Sequence, residues 1–202
     1  AKAARLRSRG HGAEARHPRA YTRPDRNRPQ APGRLVDPAP VRAQTPQLAA
    51  DGTLKWEVPA GRWRILRIGF TSNGHYVSPA TPEGRGLECD KLDPAAVRFH
   101  LGQYVGKLLA RYGSSVGKTF AAVEIDSWEC GIQNWTAGFE RRFRERVGYD
   151  LTPYWPALLE GWIVGDADRT DRLLWDWRRF LADQFSASYF SVAAEYLKGK
   201  GV

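Results

Sequence analysis

Asp126 and Glu129 are two carboxylates three residues apart, at the end of the apolar run Thr119–Asp126. Around them stand Trp128, Gln133, Asn134 and Trp135. A carboxyl group held beside apolar rings is pushed toward its protonated form and can serve as an acid near neutral pH. Indole faces stack on sugar rings, and side-chain amides hydrogen-bond hydroxyl groups. The set therefore suits chemistry on a sugar. Ordinary strand-end capping by Asp126, with both tryptophans filling core, fits the same residues.

The elements that must position this cluster follow from periodicity. Leu54, Trp56 and Val58 alternate after the Asp51-Gly52 turn signal, and 62–70 is apolar enough for a buried strand; together they predict a hairpin. Asp93-Pro94 is a helix start, with Val97, Leu101, Tyr104, Val105, Leu108 and Leu109 at helical spacing and Gly113 as the stop. The stretch 119–126 predicts a strand, and 136–147 a helix ended by Gly148. Thr152-Pro153 repeats the helix-start signature, and 170–198 predicts one long helix striped by Leu173, Leu174, Trp177, Leu181, Phe185, Tyr189, Val192 and Tyr196. Strands alternating with helices imply βα units, which place strand-end residues at a ligand crevice or barrel mouth. Asp126 would sit at such an end.

The non-periodic segment 71–92 carries Glu83, Arg85, Glu88, Asp90 and Lys91 among glycines. It reads either as a solvated surface loop or as a loop folded over a polar binding site. Gly113-Ser114-Ser115-Val116-Gly117-Lys118-Thr119 resembles the end of a phosphate loop, but its Lys-Thr leads into a strand where that chemistry needs a helix.

Charge and composition divide the chain. The net charge is +9 over 202 residues, yet residues 1–45 hold eleven Lys/Arg against three acids, a net of +8. The remaining twenty bases and nineteen acids nearly cancel. Only Tyr21 among the twenty-four aromatic residues precedes residue 46, so the first segment has little apolar surface with which to offset the entropy of ordering. Residues 1–45 therefore predict a disordered Arg/Pro-rich tail and residues 46–202 the globular part. The tail admits three readings: a nucleic-acid-binding arm, a solvated linker, or an out-of-frame stretch that is not genuine coding sequence. Two cysteines, Cys89 and Cys130, exclude a disulfide scaffold. No apolar run approaches the ~20 residues of a membrane span, and no apolar signal segment is present. The chain lacks methionine, which predicts a piece of a longer polypeptide.

Several motifs in order resemble the α-L-rhamnosidases of glycoside hydrolase family 106. They are Asp51-Gly52-Thr53-Leu54-Lys55-Trp56-Glu57-Val58-Pro59-Ala60-Gly61-Arg62-Trp63, Pro82-Glu83-Gly84-Arg85-Gly86-Leu87-Glu88-Cys89-Asp90-Lys91-Leu92 and Ile125-Asp126-Ser127-Trp128-Glu129. Downstream come Gln133-Asn134-Trp135-Thr136, Gly148-Tyr149-Asp150-Leu151-Thr152-Pro153-Tyr154 and Leu174-Trp175-Asp176-Trp177-Arg178-Arg179. The resemblance covers about residues 50–202.

This resemblance implies an α/β fold, part of a (β/α)8 TIM-type barrel with about two βα units and long helices, within a larger multidomain enzyme. It implies inverting release of terminal α-L-rhamnose from polysaccharides or oligosaccharides, assisted by calcium whose ligands it does not identify. By motif, Glu129 is the general acid and Asp126 orients it or the sugar. Trp128, Gln133, Asn134, Trp135, Arg85 and Glu88 are the candidate substrate-binding residues. Inversion needs an acid and a base on opposite faces of the sugar, roughly 6.5–9.5 Å apart, and two carboxylates on one short loop are poorly placed for that. The resemblance implies that the base lies downstream of Val202, outside this chain, so that the chain alone would be inactive, and that the parent bacterial protein is periplasmic or secreted. A noncatalytic carbohydrate-binding α/β domain and a basic nucleic-acid-binding protein are the competing classes.

Overall fold

The structure, a computed structural model, describes residues 34–126, 128 and 130–202. Its elements in chain order are β1 (Leu35–Val36), α1 (Pro94–Gln103), α2 (Val105–Arg111), α3 (Phe139–Val147), α4 (Trp155–Glu160), β2 (Ile163–Val164), α5 (Ala167–Phe185) and α6 (Val192–Lys198), with short 3-10 turns between them. The fold is mixed α/β, rich in helix, with one two-stranded parallel sheet among the described residues. No described helix is long and apolar enough to cross a membrane.

Two compact units divide the chain. The first joins residues up to 66 with 151–173. In it β1 pairs with β2, Leu35 opposite Ile163 and Val36 opposite Val164. Residues 35 and 36 lie inside the stretch that composition assigns to a tail, yet this short ladder holds them. Thr170 secures the strand from the other side, its Oγ accepting from the Val164 N–H at 2.9 Å and donating to the Asp166 carbonyl at 2.9 Å. The Asp166 carboxylate accepts from the Arg169 N–H at 2.7 Å, which satisfies an otherwise orphaned donor of the first α5 turn. Leu151, Tyr154, Ala157, Val164 and Leu173 are buried in this unit.

The second unit joins 67–150 with 174–202 and carries the candidate site. Asp93 caps α1 as its residue type dictates, accepting from the Ala95 N–H at 2.9 Å with Pro94 at the first helical position. The expected helix bends at Tyr104 into α2, but its apolar stripe passes through the bend: Val97, Leu101, Val105 and Leu109 are all buried against Val192 and Ala193 of α6. Each such side chain contributes roughly 1.5–3 kcal/mol on burial. A second, aromatic centre forms where Phe139 and Phe143, four apart on α3, meet Phe180 of α5 at ring distances of 4.9 and 5.4 Å. Gly148 ends α3 as expected, at φ 95° with its N–H on the Arg144 carbonyl. The helix starts later than Thr136, because Gly138 takes a left-handed turn first.

The long C-terminal helix is interrupted by a π-helical segment, Ser186–Ser191, which periodicity did not anticipate. Gln184 braces it, donating to Ser188 Oγ at 2.6 Å and to the Leu92 carbonyl at 3.2 Å. Such a π segment carries an extra residue in the helix and shifts the face presented by the next turn.

The expected strands differ most. Neither 62–70 nor 119–126 forms a ladder; the nearest pairings are isolated bridges, Leu48 with Leu54, Tyr76 with Leu87 and Val116 with Phe120. An apolar segment becomes a strand only where a neighbour accepts its backbone bonds in a run; among the described residues 62–70 has no such ladder and 119–126 has just the single bridge at Phe120. Ile65, Ile68 and Phe70 accordingly stay exposed. These residues make no barrel wall among themselves.

Candidate functional site

A cavity of about 260 Å³ opens in the second unit, lined by Val77, Ser78, Pro79, Glu88, Cys89, Lys91, His100, Asp126 and Tyr189. Four separate stretches build it: the 71–92 loop, His100 of α1, the end of the 119–126 run, and the π segment before α6. The loop read as a possible cover over a polar site thus contributes most of its wall.

Lys91 is the buried charge of this wall, 5% exposed. Its ammonium donates to Glu88 Oε2 and lies 5.4 Å from the Tyr189 ring centre and 5.8 Å from that of Trp128. Burial works against the Lys91 charge, but the bond from Glu88 and the charges of Cys130 and Cys89 outweigh it and hold the ammonium above the ordinary lysine value. Burial likewise raises the Cys89 and Cys130 thiols and the Tyr189 phenol, with Lys91 pulling each back. Both cysteines are free.

Backbone clamps hold the two loops. Gln133 donates through Nε2 to the Cys89 carbonyl and accepts at Oε1 from the Lys91 N–H, both at 2.9 Å. Asn73 Nδ2 donates to the carbonyls of Cys130 and Ile132 at 2.9 and 3.1 Å. Gly131 turns the chain at φ 66°, and a Cβ there would run into the His75 imidazole.

The residues singled out by sequence fall in different places. Asp126 and Glu88 line the cavity. Glu129 lies outside the described residues, between Trp128 and Cys130. Trp128 borders the cavity residues through Lys91, packs edge-on against Phe185 at 4.7 Å and donates its indole N–H to the Gly131 carbonyl. Gln133 directs both ends of its amide at backbone, which makes it a positioning residue. Trp135 stacks on Phe139 at 4.8 Å, within the aromatic centre. Asn134 is exposed, and Arg85 lies over the Tyr76 ring at 5.1 Å, away from the cavity lining.

Lys91, Tyr189 and Asn73 were missed. Tyr189 reads as one more member of a helix stripe, and Lys91 as one charge among five in a loop. Asn73-Gly74 signals a turn, and only the fold shows that its amide reaches Cys130, 57 residues on.

Two carboxylates, Asp126 and Glu88, line the cavity with the Tyr189 ring beside them, a lining compatible with the class of glycoside hydrolases. Comparison with known proteins makes the class specific: a family model described as alpha-L-rhamnosidase, glycoside hydrolase family 106, matches residues 15–202. The chain belongs to this family. The match begins within the basic segment, upstream of the motifs that carry the resemblance. A Formosa agariphila protein named "Putative beta-glucuronidase" is 40% identical over 147 residues, 73% of this chain and 13% of that protein. The solved rhamnosidase of Novosphingobium sp. PP1Y superposes with a TM-score of 0.70 at 34% identity, over 85% of this chain and 17% of that one. The chain thus spans less than a fifth of either relative.

Proposed function

We propose that this chain carries the acid side of an inverting α-L-rhamnosidase site, within a hydrolase that releases terminal α-L-rhamnose from polysaccharides or oligosaccharides. The observation that supports the reading best is Asp126 on the wall of a 260 Å³ cavity, three residues before Glu129 in the Asp-Ser-Trp-Glu motif. Glu129 acts as general acid, protonating the glycosidic oxygen as the bond to the anomeric carbon breaks. Asp126 orients that acid or the sugar. The general base, which would activate a water on the opposite face, is supplied from outside this chain. The chain alone is therefore inactive, and the parent protein works in the periplasm or outside the cell.

Calcium belongs to this reading only through the family. Among the described residues no three His, Cys, Asp or Glu side chains converge on one point, so no ligand is assigned here and no step passes through the ion.

Glu129→Gln in the full-length protein tests the acid role. The expected result is a large fall in kcat on rhamnosides with poor leaving groups and a much smaller one on activated aryl rhamnosides, which need little protonation. Equal losses on both would remove Glu129 from the role.

A further inference from the structure

We infer that Glu88 is a specificity-determining residue: as the built-in counter-ion of Lys91, it denies that ammonium to a sugar carboxylate and so reserves the cavity for neutral sugars. The inference rests on the cavity being a sugar site.

Among the described residues that line the cavity, Lys91 is the one ammonium or guanidinium. Shielded from solvent between Trp128 and Tyr189, an unpaired lysine there would be a ready receptor for the carboxylate of a uronic acid. Glu88, three residues earlier, already fills that role, with side-chain exposures of 7% for the lysine and 22% for the glutamate. The pair cancels, and Asp126 leaves the lining with an excess of negative charge. Beside these charges the lining holds the imidazole of His100 but no free ammonium or guanidinium, so an incoming carboxylate would meet repulsion from Asp126 without a lysine or arginine partner, whereas a sugar hydroxyl can still donate to the lone pairs that Lys91 leaves open on Glu88. Discrimination of this kind is built by withholding a partner from the wrong ligand.

The two relatives bear names that differ on this point, one a rhamnosidase and one a glucuronidase. The charge balance around Lys91 favours the neutral sugar.

The test measures dissociation constants, by ligand-observed NMR on the full-length protein, for two matched pairs. These are L-rhamnose with L-mannuronate, the same ring bearing a carboxylate in place of the methyl group, and D-glucose with D-glucuronate. The wild-type protein is expected to bind the neutral member of a pair at least about tenfold more tightly, and Glu88→Gln to narrow that ratio by about tenfold as Lys91 becomes available. The double variant Glu88→Gln, Lys91→Gln should lose the gain. Uronate binding as tight as neutral-sugar binding in the wild type, or an unchanged ratio in a folded Glu88→Gln variant, overturns the inference. The wild-type ratio decides alone if Glu88→Gln fails to fold. A response confined to the glucose pair sinks the rhamnose reading and leaves this inference standing, while no binding by any of the four sugars sinks both.

Discussion

The backbone N–H of Lys91 donates to the side-chain carbonyl of Gln133 at 2.9 Å, across 42 residues of chain. With the return bond from Gln133 Nε2 to the Cys89 carbonyl, one amide side chain sets the height of the lysine against the loop that carries the Asp-Ser-Trp-Glu motif.

Gln133→Ala leaves one partly buried donor and one acceptor without partners. Each such loss costs about 1–3 kcal/mol, so a lower Tm by thermal melt is expected, with KM rising more than kcat falls. Gln133→Glu should be nearly as damaging, because it keeps the acceptor and loses the donor. Wild-type melting and kinetics in both variants would show that the clamp is dispensable.

Gly131→Ala strains the same loop. A Cβ at φ 66° costs about 1–2 kcal/mol in the left-handed region, and here it also displaces His75. The expected outcome is reduced turnover in the full-length protein, since Glu129 is two residues away. His75→Ala in the Gly131→Ala background should recover part of the lost stability, read by denaturant titration; no recovery would rule out the steric component.

Alkaline pH should weaken the second unit. Burial holds the Cys89 and Cys130 thiols above their ordinary 9.0, against the pull of Lys91. Lys91 stays above its ordinary 10.5 despite burial, through Glu88 and the neighbouring sulfur charges. In every case the unfolded chain releases its proton first, so the folded state holds more protons in the window between the two values, and stability falls as pH rises. The Tm should be steady near pH 7–8 and decline above about pH 9, with a shallower decline in Cys89→Ala, Cys130→Ala. Because both thiols are free, added reductant should leave the melt unchanged; unfolding on reduction would reveal a bridge.

Residues 46–202 expressed alone should bind hydrophobic dye and melt without a sharp transition. Phe70 and Phe99 are 74% and 69% exposed, and the 62–70 run has no strand beside it. The α5–α6 helix is expected to persist longest by circular dichroism. A soluble monomer with a cooperative melt would mean instead that the described contacts suffice for an independent domain.

What the sequence determined by itself is local. Asp93-Pro94 starts α1, Gly148 stops α3, and the four-residue spacing from Val97 to Leu109 marks the buried face, because caps, left-handed glycines and helical stripes depend on neighbours within a few positions. The family, too, was legible, since its motifs are continuous strings. The tertiary structure alone decided the rest. A strand exists only where a second segment completes its hydrogen bonds, so 62–70 and 119–126 could look like strands and yet form none here. A cavity exists only where distant segments converge: Lys91 from a loop, Asp126 from the end of the 119–126 run and Tyr189 from a π turn meet through packing that no local spacing encodes. The counter-ion of Lys91 lies just three residues away in sequence, but burial is what turns an ordinary surface pair into a charge that a ligand must reckon with.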